Sequence, residues 1–308
     1  MSTLRSALRK YVAMRRALGF KFQHQEKRLT GFVSFMEERG ATVITHKLAL
    51  EWATQPPDRR PSWALRLTDV RGFARHLRSA EARTEVPLTG VLPGFSRAKP
   101  YLYTETEIRK LLAAALALPP TDGLRRWTYH CLFGLLAAAG LRISEALALR
   151  REDVDLKEGI LTVRGTKFGK SRLVPLHPTT RCILVRYAKR RDAHLHPPRS
   201  PYFFVAERGG QLLLQYVHRV FWRLSRQTGL RGRVDHSGPR LHDFRHRFAV
   251  HTLLAWYRSG QSVELLLPVL STYLGHTCVR DTYWYLSACP ELMGYAARRL
   301  EKRWEATS

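Results

Sequence analysis

Acidic residues are scarce in this chain of 308 residues, which carries 25 Asp and Glu against 52 Lys and Arg. The resulting formal net charge of +27 favours a polyanionic partner, most simply a nucleic acid. Basic residues outnumber acidic ones by 19 to 8 in residues 1–99, which leaves 33 against 17 in the remainder. Both parts of the chain could therefore contact a nucleic acid, and a basic surface without a specific partner is the alternative.

Cysteine and long apolar runs are also sparse. The four cysteines form no CxxC pair and have no spacing typical of a metal site, which favours unpaired thiols in a reducing cytosol. The apolar stretch LLLPVL at 265–270 is far too short to span a bilayer. No apolar run precedes a cleavage site near the N-terminus. We therefore expect a cytoplasmic protein that does not associate with membranes.

Residues 1–92 are predicted to form a helical domain, because their apolar residues recur at helical spacing. The segment 84–100 contains three prolines and two glycines and has weak periodicity, and we place the linker between domains at 93–101. One predicted helix, at 63–80, carries four arginines that could lie along DNA phosphates or form a plain exposed face. They are Arg66, Arg71, Arg75 and Arg78.

The second predicted domain covers 102–308. Thr104 and Glu107 form a capping box ahead of an apolar run, and the nearly continuous apolar stretch 127–140 predicts a buried helix that ends at Gly140. Alternating residues around Val154, 160–163 and 173–176 predict a small three-stranded antiparallel sheet. Further helices are predicted at 179–192, 214–228, 243–258 and 262–271. The expected fold class is thus mainly α with a small antiparallel sheet (α+β).

Six polar residues in this second part stand in an order and in local contexts that suit attack on a phosphodiester. The contexts are AGLRISEAL, the predicted hairpin turn in LTVRGTKFGKSRLVPL, RLHDFRHRFA, YLGH and DTYWYLS. The residues are Arg142, Lys167, His242, Arg245, His276 and Tyr285. Over about residues 100–290 this arrangement resembles the tyrosine recombinases, also called the phage-integrase family.

The resemblance implies a C-shaped clamp, in which a helical core-binding (SAM-like) domain and a catalytic domain grip opposite faces of DNA. Tyr285 would be the nucleophile and would form a 3′-phosphotyrosine. Arg142 and Arg245 would bind the phosphate through paired hydrogen bonds, with His276 as a further donor. His242 would manage the tyrosine proton or orient the phosphate.

Lys167, at the hairpin tip, would by the same resemblance protonate the leaving 5′-oxygen. Lys170 competes for this position, while Lys170 and Arg172 are otherwise expected on DNA phosphates. Tyr283 competes with Tyr285, although the nine-residue spacing from His276 favours Tyr285.

Two neighbours of these residues are expected to support the site without acting on substrate. His246 is expected to be structural, and Glu145 is expected to support the loop that carries Arg142. The C-terminal segment 288–304 is predicted to be an amphipathic helix that docks on a neighbouring protomer or on its own domain.

The predicted partners are double-stranded DNA recombination sites, a homotetramer on DNA, and a possible partner recombinase or DNA-bending protein. No cofactor or metal is required by this chemistry, and Asp153, Asp155 and Asp243 do not form the carboxylate cluster of a two-metal nuclease. The expected activity is integration, excision or transposition of a mobile element through a Holliday junction. A type IB topoisomerase and a non-catalytic DNA-binding protein are the alternatives.

Overall fold

The computed structural model describes residues 4–55, 60–94, 99–165, 171–196, 200–232, 238–287 and 289–305. The chain separates into two compact units, Met1–Ala98 and Lys99–Ser308. The boundary falls inside the segment 93–101 that was expected to link two domains. The secondary structure is mostly helical, with one three-stranded antiparallel sheet, which confirms the predicted fold class.

The described part of the first unit contains the helices α1 (Leu4–Ala17), α2 (Gln23–Glu38), α3 (His46–Thr54) and α4 (Arg60–Leu77). Three residues of α2 at helical spacing, Leu29, Phe32 and Met36, are fully buried at the centre of the core. The hydroxyl of Thr45 accepts a hydrogen bond from the backbone N–H of Leu48 (3.3 Å), which defines the start of α3. The unit is helical because each helix buries one apolar face against the others.

The second unit begins with α5 (Glu105–Leu116), α6 (Arg125–Ala139) and α7 (Ile143–Ala148). After the sheet come the helices α8 (Pro178–His194), α9 (Leu214–Gln227), α10 (Asp243–Arg258), α11 (Val263–Leu274), α12 (Arg280–Ser287) and α13 (Pro290–Glu305). The capping box predicted at the start of α5 is confirmed, since Thr104 and Glu107 exchange side-chain to backbone hydrogen bonds.

Helix α6 lies at the centre of the second unit, where it contacts α5, α8 and α10. Its residue Phe133 is fully buried, and a side chain of this size contributes about 1.5–3 kcal/mol when removed from water. Gly140 ends the helix with φ of 60°, as predicted. A Cβ there would lie 2.6 Å from the ring of Phe248, so the close approach of α10 also requires glycine. The residues after Gly140 therefore leave a rigid, well-packed helix end.

The sheet consists of β1 (Val154–Asp155), β2 (Ile160–Val163) and β3 (Arg172–Pro175) in the order β1-β2-β3. Both pairings are antiparallel, and Leu161 faces Val174 while Val163 faces Arg172. The apolar members of these pairs are buried. The sheet thus uses one face for the core, as its alternating pattern predicts, and the paired strands bring Arg172 to the end of β2.

Two short helices were not predicted from the sequence, namely α7 and α12. Helix α12 is rich in aromatic residues of modest helix propensity, and its contacts with α10, α11 and α13 stabilise it. The C-terminal helix α13 packs against α10 and α12 of its own unit, and Glu291 accepts a hydrogen bond from Arg258 (2.8 Å). Every helix in the described ranges is too short or too polar to cross a membrane.

Candidate functional site

The turn between α6 and α7 positions Arg142. Its backbone N–H donates to Glu145 Oε2 (2.9 Å), and its Nη1 donates to Glu145 Oε1 (2.7 Å). Its Nη2 donates to the backbone oxygen of Gly275 (3.2 Å). The Arg142 side chain remains 34% exposed, while that of Glu145 is 7% exposed. The carboxylate therefore fixes the arginine from the protein side and leaves part of the guanidinium open to solvent.

Helix α10 places Arg245 at the same point. Its Nη1 donates to the backbone oxygen of Gly140 (3.0 Å), and its Nη2 donates to that of Leu274. These two carbonyls belong to the C-terminal ends of α6 and α11, where carbonyl groups lack intrahelical partners. Arg245 is 1% exposed, and burial, followed by the nearby Arg142, lowers its pKa to about 10. Two guanidinium groups thus converge beside the turn that ends α11.

The same turn presents His276. Gly275 ends α11 in the left-handed conformation (φ of 68°), and His276 follows with its backbone N–H bonded to Ser271 O (3.0 Å). His276 Nδ1 lies 2.8 Å from the hydroxyl of Thr282, a buried residue of α12. This contact fixes the ring orientation, since an imidazole held at one nitrogen presents the other.

Tyr285 lies inside this group, whereas Tyr283 does not. Tyr285 is 3% exposed and Tyr283 is 53% exposed, because the two residues point to different sides of α12. The Tyr285 ring stacks on that of His276 with 6.0 Å between centroids and 20° between planes. The buried guanidinium of Arg245 interacts electrostatically with Tyr285. The geometry therefore favours Tyr285 over Tyr283 as the candidate nucleophile.

His246 contacts Tyr285, and His242 contacts His246. His242 is exposed at the start of α10, and its ring meets that of His246 edge-on, with 4.6 Å between centroids. His246 is buried and its ring lies 4.9 Å from that of Trp284 and 5.4 Å from that of Tyr285. His246 thus helps to form an aromatic wall around the tyrosine, which agrees with the structural role expected for it.

The electrostatics of the site are dominated by cations. Loss of water around each imidazole, followed by the charge of Arg245, lowers the pKa of both His242 and His276 to about 4, although part of the His242 surface stays open to solvent. Both imidazoles are therefore neutral at pH 7. Burial would raise the pKa of Glu145, but hydrogen bonds from Arg172 and from the backbone of Arg142 outweigh it and lower that pKa to about 2. The combination of fixed cations and neutral imidazoles attracts an anion and leaves proton acceptors available.

The hairpin residues are only partly described. Lys167 and Lys170 lie outside the described residues. Arg172 is described, and its Nη2 and Nη1 donate to the two oxygens of Glu145 (2.9 and 3.1 Å), while its Nε donates to Tyr273 O (2.7 Å). Its side chain is 9% exposed. Because the guanidinium is occupied by protein groups, the structure favours a positioning role for Arg172 over the predicted phosphate contact.

The four predicted arginines of the first unit differ in environment. Arg66 stacks on Trp52 (3.7 Å to the ring centroid) and donates to Trp52 O, and Arg71 donates to Pro87 O and Leu88 O. Arg75 and Arg78 are exposed, and within the ranges described neither forms an ion pair. At 100° per residue, Arg71, Arg75 and Arg78 share one face and Arg66 lies on another. The predicted stripe therefore reduces to Arg75 and Arg78, with Arg71 bound beside them.

A basic face on α9 was missed by the sequence analysis. Its amphipathic sequence LQYVHRVFWRLSRQ contains no acidic residue, and Val217, Val220, Phe221 and Leu224 form its buried face. The opposite face carries Arg219 over Tyr216 (5.4 Å to the centroid), Arg226 over Trp222 (4.6 Å) and Arg223. The spacing of the three arginines (i, i+4, i+7) was a usable signal. We name Arg219, Arg223 and Arg226 the α9 basic face.

Comparisons with known proteins show which family this chain resembles. The family model described as the phage integrase family matches residues 102–291. The chain is 52% identical over 311 residues to "Putative integrase/recombinase y4rB" of Sinorhizobium fredii (strain NBRC 101917 / NGR234), covering 99% of each chain. It is 33% identical to tyrosine recombinase XerD of Caulobacter vibrioides, covering 75% of this chain and 72% of that protein.

Among solved structures, the fold is similar to that of the Tn1549 transposon integrase in complex with transposon right end DNA. The TM-score is 0.71 at 17% sequence identity, and the match covers 97% of this chain and 99% of that one. At this identity the likeness concerns the fold.

Proposed function

The chain belongs to the phage integrase family, and on that premise we propose that it is a site-specific recombinase that breaks and rejoins DNA through a covalent bond to Tyr285. One observation carries the proposal. A buried tyrosine is stacked on a histidine and interacts electrostatically with a buried arginine, beside a second, partly exposed arginine. This arrangement places a nucleophile next to a site for a phosphate.

In the proposed reaction, the Tyr285 oxygen attacks the scissile phosphorus and the bond to the 5′-oxygen breaks. The products are a 3′-phosphotyrosine and a free 5′-hydroxyl, and attack by a 5′-hydroxyl of another strand reverses the same chemistry. The energy of the phosphodiester is kept in the covalent intermediate. Strand exchange between two sites through a Holliday junction follows from two rounds of this exchange.

Arg142 and Arg245 are proposed to neutralise charge on the non-bridging oxygens in the transition state. Guanidinium groups suit this task because their paired N–H donors match the oxygens of a phosphate. Each preorganised donor of this kind contributes about 2.7–4 kcal/mol in comparable oxyanion sites. The exposed part of Arg142 and the ring of His276 are the groups from which an entering phosphate would receive hydrogen bonds.

Proton transfer is assigned to neutral groups. His242 is neutral at pH 7 because its pKa is lowered to about 4. A bound phosphate would raise this pKa, and the imidazole would then accept the proton of Tyr285. The resemblance assigns protonation of the 5′-oxygen to Lys167, which lies outside the described residues. Asp153 and Asp243 are bound by Arg164 and Arg240, which supports the tyrosine chemistry over a nuclease built on free carboxylates.

DNA contacts outside the catalytic group are proposed for two surfaces. The α9 basic face combines three arginines with two exposed aromatic rings, and α9 packs against α7, which Arg142 precedes. Arg75 and Arg78 of the first unit provide further exposed cations. Contacts of this type to phosphates position a protein on DNA without reading the base sequence.

The proposed partners are two double-stranded recombination sites of a mobile element, bound by a homotetramer that acts alone or with a partner recombinase or DNA-bending protein. Such an enzyme acts in the compartment that contains the DNA, which supports the expected cytoplasmic location. A type IB topoisomerase would use the same bond chemistry but reseal the same strand. The family match and the similarity to recombinases along nearly the whole chain favour strand exchange.

The proposal is tested by covalent trapping. Wild type, Tyr285→Phe and Tyr283→Phe are incubated in EDTA with labelled duplexes from both sides of the gene that encodes the chain, and the products are separated on a denaturing gel. We expect a protease-sensitive shifted band with wild type and with Tyr283→Phe. Tyr285→Phe should give no band while binding DNA normally, because only the nucleophilic oxygen is removed.

A band of normal intensity with Tyr285→Phe would contradict the assignment and transfer it to Tyr283 if that variant were inactive. Tight binding by wild type without any band over all duplexes would favour a non-catalytic DNA-binding protein. Relaxation of a supercoiled plasmid without exchange between two copies of the trapped site would favour the topoisomerase.

A further inference from the structure

One guanidinium joins three segments of the candidate site. Arg172 begins β3, and its three nitrogens donate to Glu145 at the start of α7 and to the backbone oxygen of Tyr273 near the end of α11. The donor distances of 2.7, 2.9 and 3.1 Å are those of well-formed hydrogen bonds. Arg172 is therefore bound along both edges of its planar group.

The same guanidinium lies close to the turn that presents His276. A Cβ on Gly275 would lie 2.8 Å from Arg172 Nη1 and 3.0 Å from Cζ, so the turn approaches the arginine as closely as a residue without a side chain permits. Gly275 also has φ of 68°, a conformation that favours glycine. The glycine of the YLGH motif thus serves both the backbone turn and the contact with Arg172.

Glu145 extends this connection to Arg142. The carboxylate that accepts two hydrogen bonds from Arg172 also accepts from the backbone N–H and from Nη1 of Arg142. The Arg142 guanidinium in turn donates to Gly275 O, one residue before His276. Arg172, Glu145, Arg142 and the 274–276 turn therefore form a closed ring of contacts.

We infer that Arg172 is a positioning residue for the recombinase reaction: it fixes Arg142 through Glu145 and fixes the turn that carries His276. The inference rests on the proposed function. Arg172 acts on the phosphate only through other residues, because its Nε, Nη1 and Nη2 all donate to protein acceptors. Arg245, by contrast, donates to described protein groups through Nη1 and Nη2 alone. Removing it leaves Glu145 and Arg142 paired with each other and leaves Arg142 bound to Gly275 O. It releases Glu145 from β3 and breaks the link from β3 to Tyr273 of α11.

The test compares Arg172→Ala with two references. Arg142→Ala removes a proposed phosphate contact directly. Arg164→Ala is the matched control, since Arg164 follows β2 in the same sheet and pairs with Asp153, away from the ring of contacts. Rates of covalent complex formation are measured in single turnover on the trapped duplex. A second duplex carries a methylphosphonate at the scissile position. There a methyl group replaces one charged oxygen, which reduces the negative charge that the arginines neutralise in the transition state.

On the phosphodiester, Arg172→Ala should be slower than wild type by about 100-fold, the size of loss that a displacement of about 1 Å causes in a catalytic group. On the methylphosphonate the loss should be much smaller for Arg172→Ala and for Arg142→Ala alike. The dissociation constant for DNA should be unchanged in Arg172→Ala, and Arg164→Ala should match wild type on both duplexes. A variant that merely folds poorly would form the covalent complex more slowly by the same factor on both duplexes, and that result would overturn the inference.

Weaker DNA binding with a lower salt dependence would also overturn it, because those are the properties of a direct phosphate contact. Amide hydrogen exchange of the free protein separates this proposal from the proposed function. Arg172→Ala should accelerate exchange in residues 141–147 and 270–277, and Arg164→Ala should not. If wild type trapped no duplex at all, the recombinase proposal would fail, and unchanged exchange in Arg172→Ala would reject the positioning role independently.

Discussion

Replacing Glu145 by glutamine keeps the size of the side chain and removes the charge that Arg142 and Arg172 share. In the folded protein burial acts to raise the pKa of Glu145, but hydrogen bonds from Arg172 and from the Arg142 backbone outweigh it and lower the pKa from 4.5 to about 2. At about 1.4 kcal/mol for each factor of ten, this fall corresponds to about 3 kcal/mol of stability at pH 7. We therefore expect Glu145→Gln to be less stable than wild type by about that amount.

The loss of stability in Glu145→Gln should depend on pH. A carboxylate whose pKa is lower in the folded state stabilises the protein above pH 4.5 and loses that effect as the pH falls towards 2. The difference between wild type and Glu145→Gln should decrease from about 3 kcal/mol at pH 7 to about 1.4 kcal/mol at pH 3. Calorimetry of the full chain should show a decrease in Tm of about 6–12 °C at pH 7 for the transition of the second unit.

Glu152→Gln is the control, because Glu152 is exposed and lies 4.0 Å from Arg150 in a surface pair that contributes little. Its Tm should match that of wild type at each pH. If Glu145→Gln lowered the stability equally at pH 7 and pH 3, the shape of the side chain, and not its charge, would determine the effect. No loss at pH 7 would refute the reasoning, since the burial of Glu145 would then offset its hydrogen bonds completely.

Three further predictions concern the turn, the histidines and the α9 basic face. Gly275→Ala should lower the free energy of unfolding by at least about 1–2 kcal/mol, because φ is 68° and the new Cβ would lie 2.8 Å from a guanidinium nitrogen. If this variant unfolded in urea at the same midpoint as wild type, the packing described would be contradicted. His242 and His276 have pKa values lowered to about 4, and the negative charge of a bound phosphate should raise both values. Calorimetric titration near pH 5 in two buffers should therefore detect proton uptake on DNA binding. Proton release would contradict a phosphate contact by these histidines. Arg219→Ala and Arg223→Ala should each reduce the slope of log Kd against log salt by about 0.9, whereas an unchanged slope would remove α9 from the DNA interface.

Much of the fold could be predicted because its signals are local. The capping box of Thr104 and Glu107 and the left-handed Gly140 depend on residues within a few positions, and both are present in the structure. The three-stranded sheet follows from alternation over short stretches. Helix α12 could not be predicted in the same way, because its aromatic residues are stabilised by α10 and α11 rather than by their own propensity.

The candidate site was predictable as a set of residues but not as a network. Order and context placed Arg142, Arg245 and Tyr285 in one group, and the structure brings them together. The partner of Arg172 is Glu145, 27 positions away, and no spacing rule connects a strand to the start of a distant helix. A basic pattern after a turn therefore predicted a phosphate contact where the fold forms a buried ion pair. The stacking of Arg66 on Trp52 could not be predicted either, because it also joins residues of two different helices.

The hydrogen bonds of Arg245 have a consequence for how the enzyme acquires activity during folding. Its two carbonyl acceptors lie 105 residues before it and 29 residues after it, at the ends of helices that must both be docked before the guanidinium can leave water. Burying this cation without either carbonyl would cost several kcal/mol, so partly folded chains that bury Arg245 without these acceptors are rarely populated. Competence to cut DNA should therefore require both helix ends to be docked, and a nascent or damaged chain that lacks either end should be inactive.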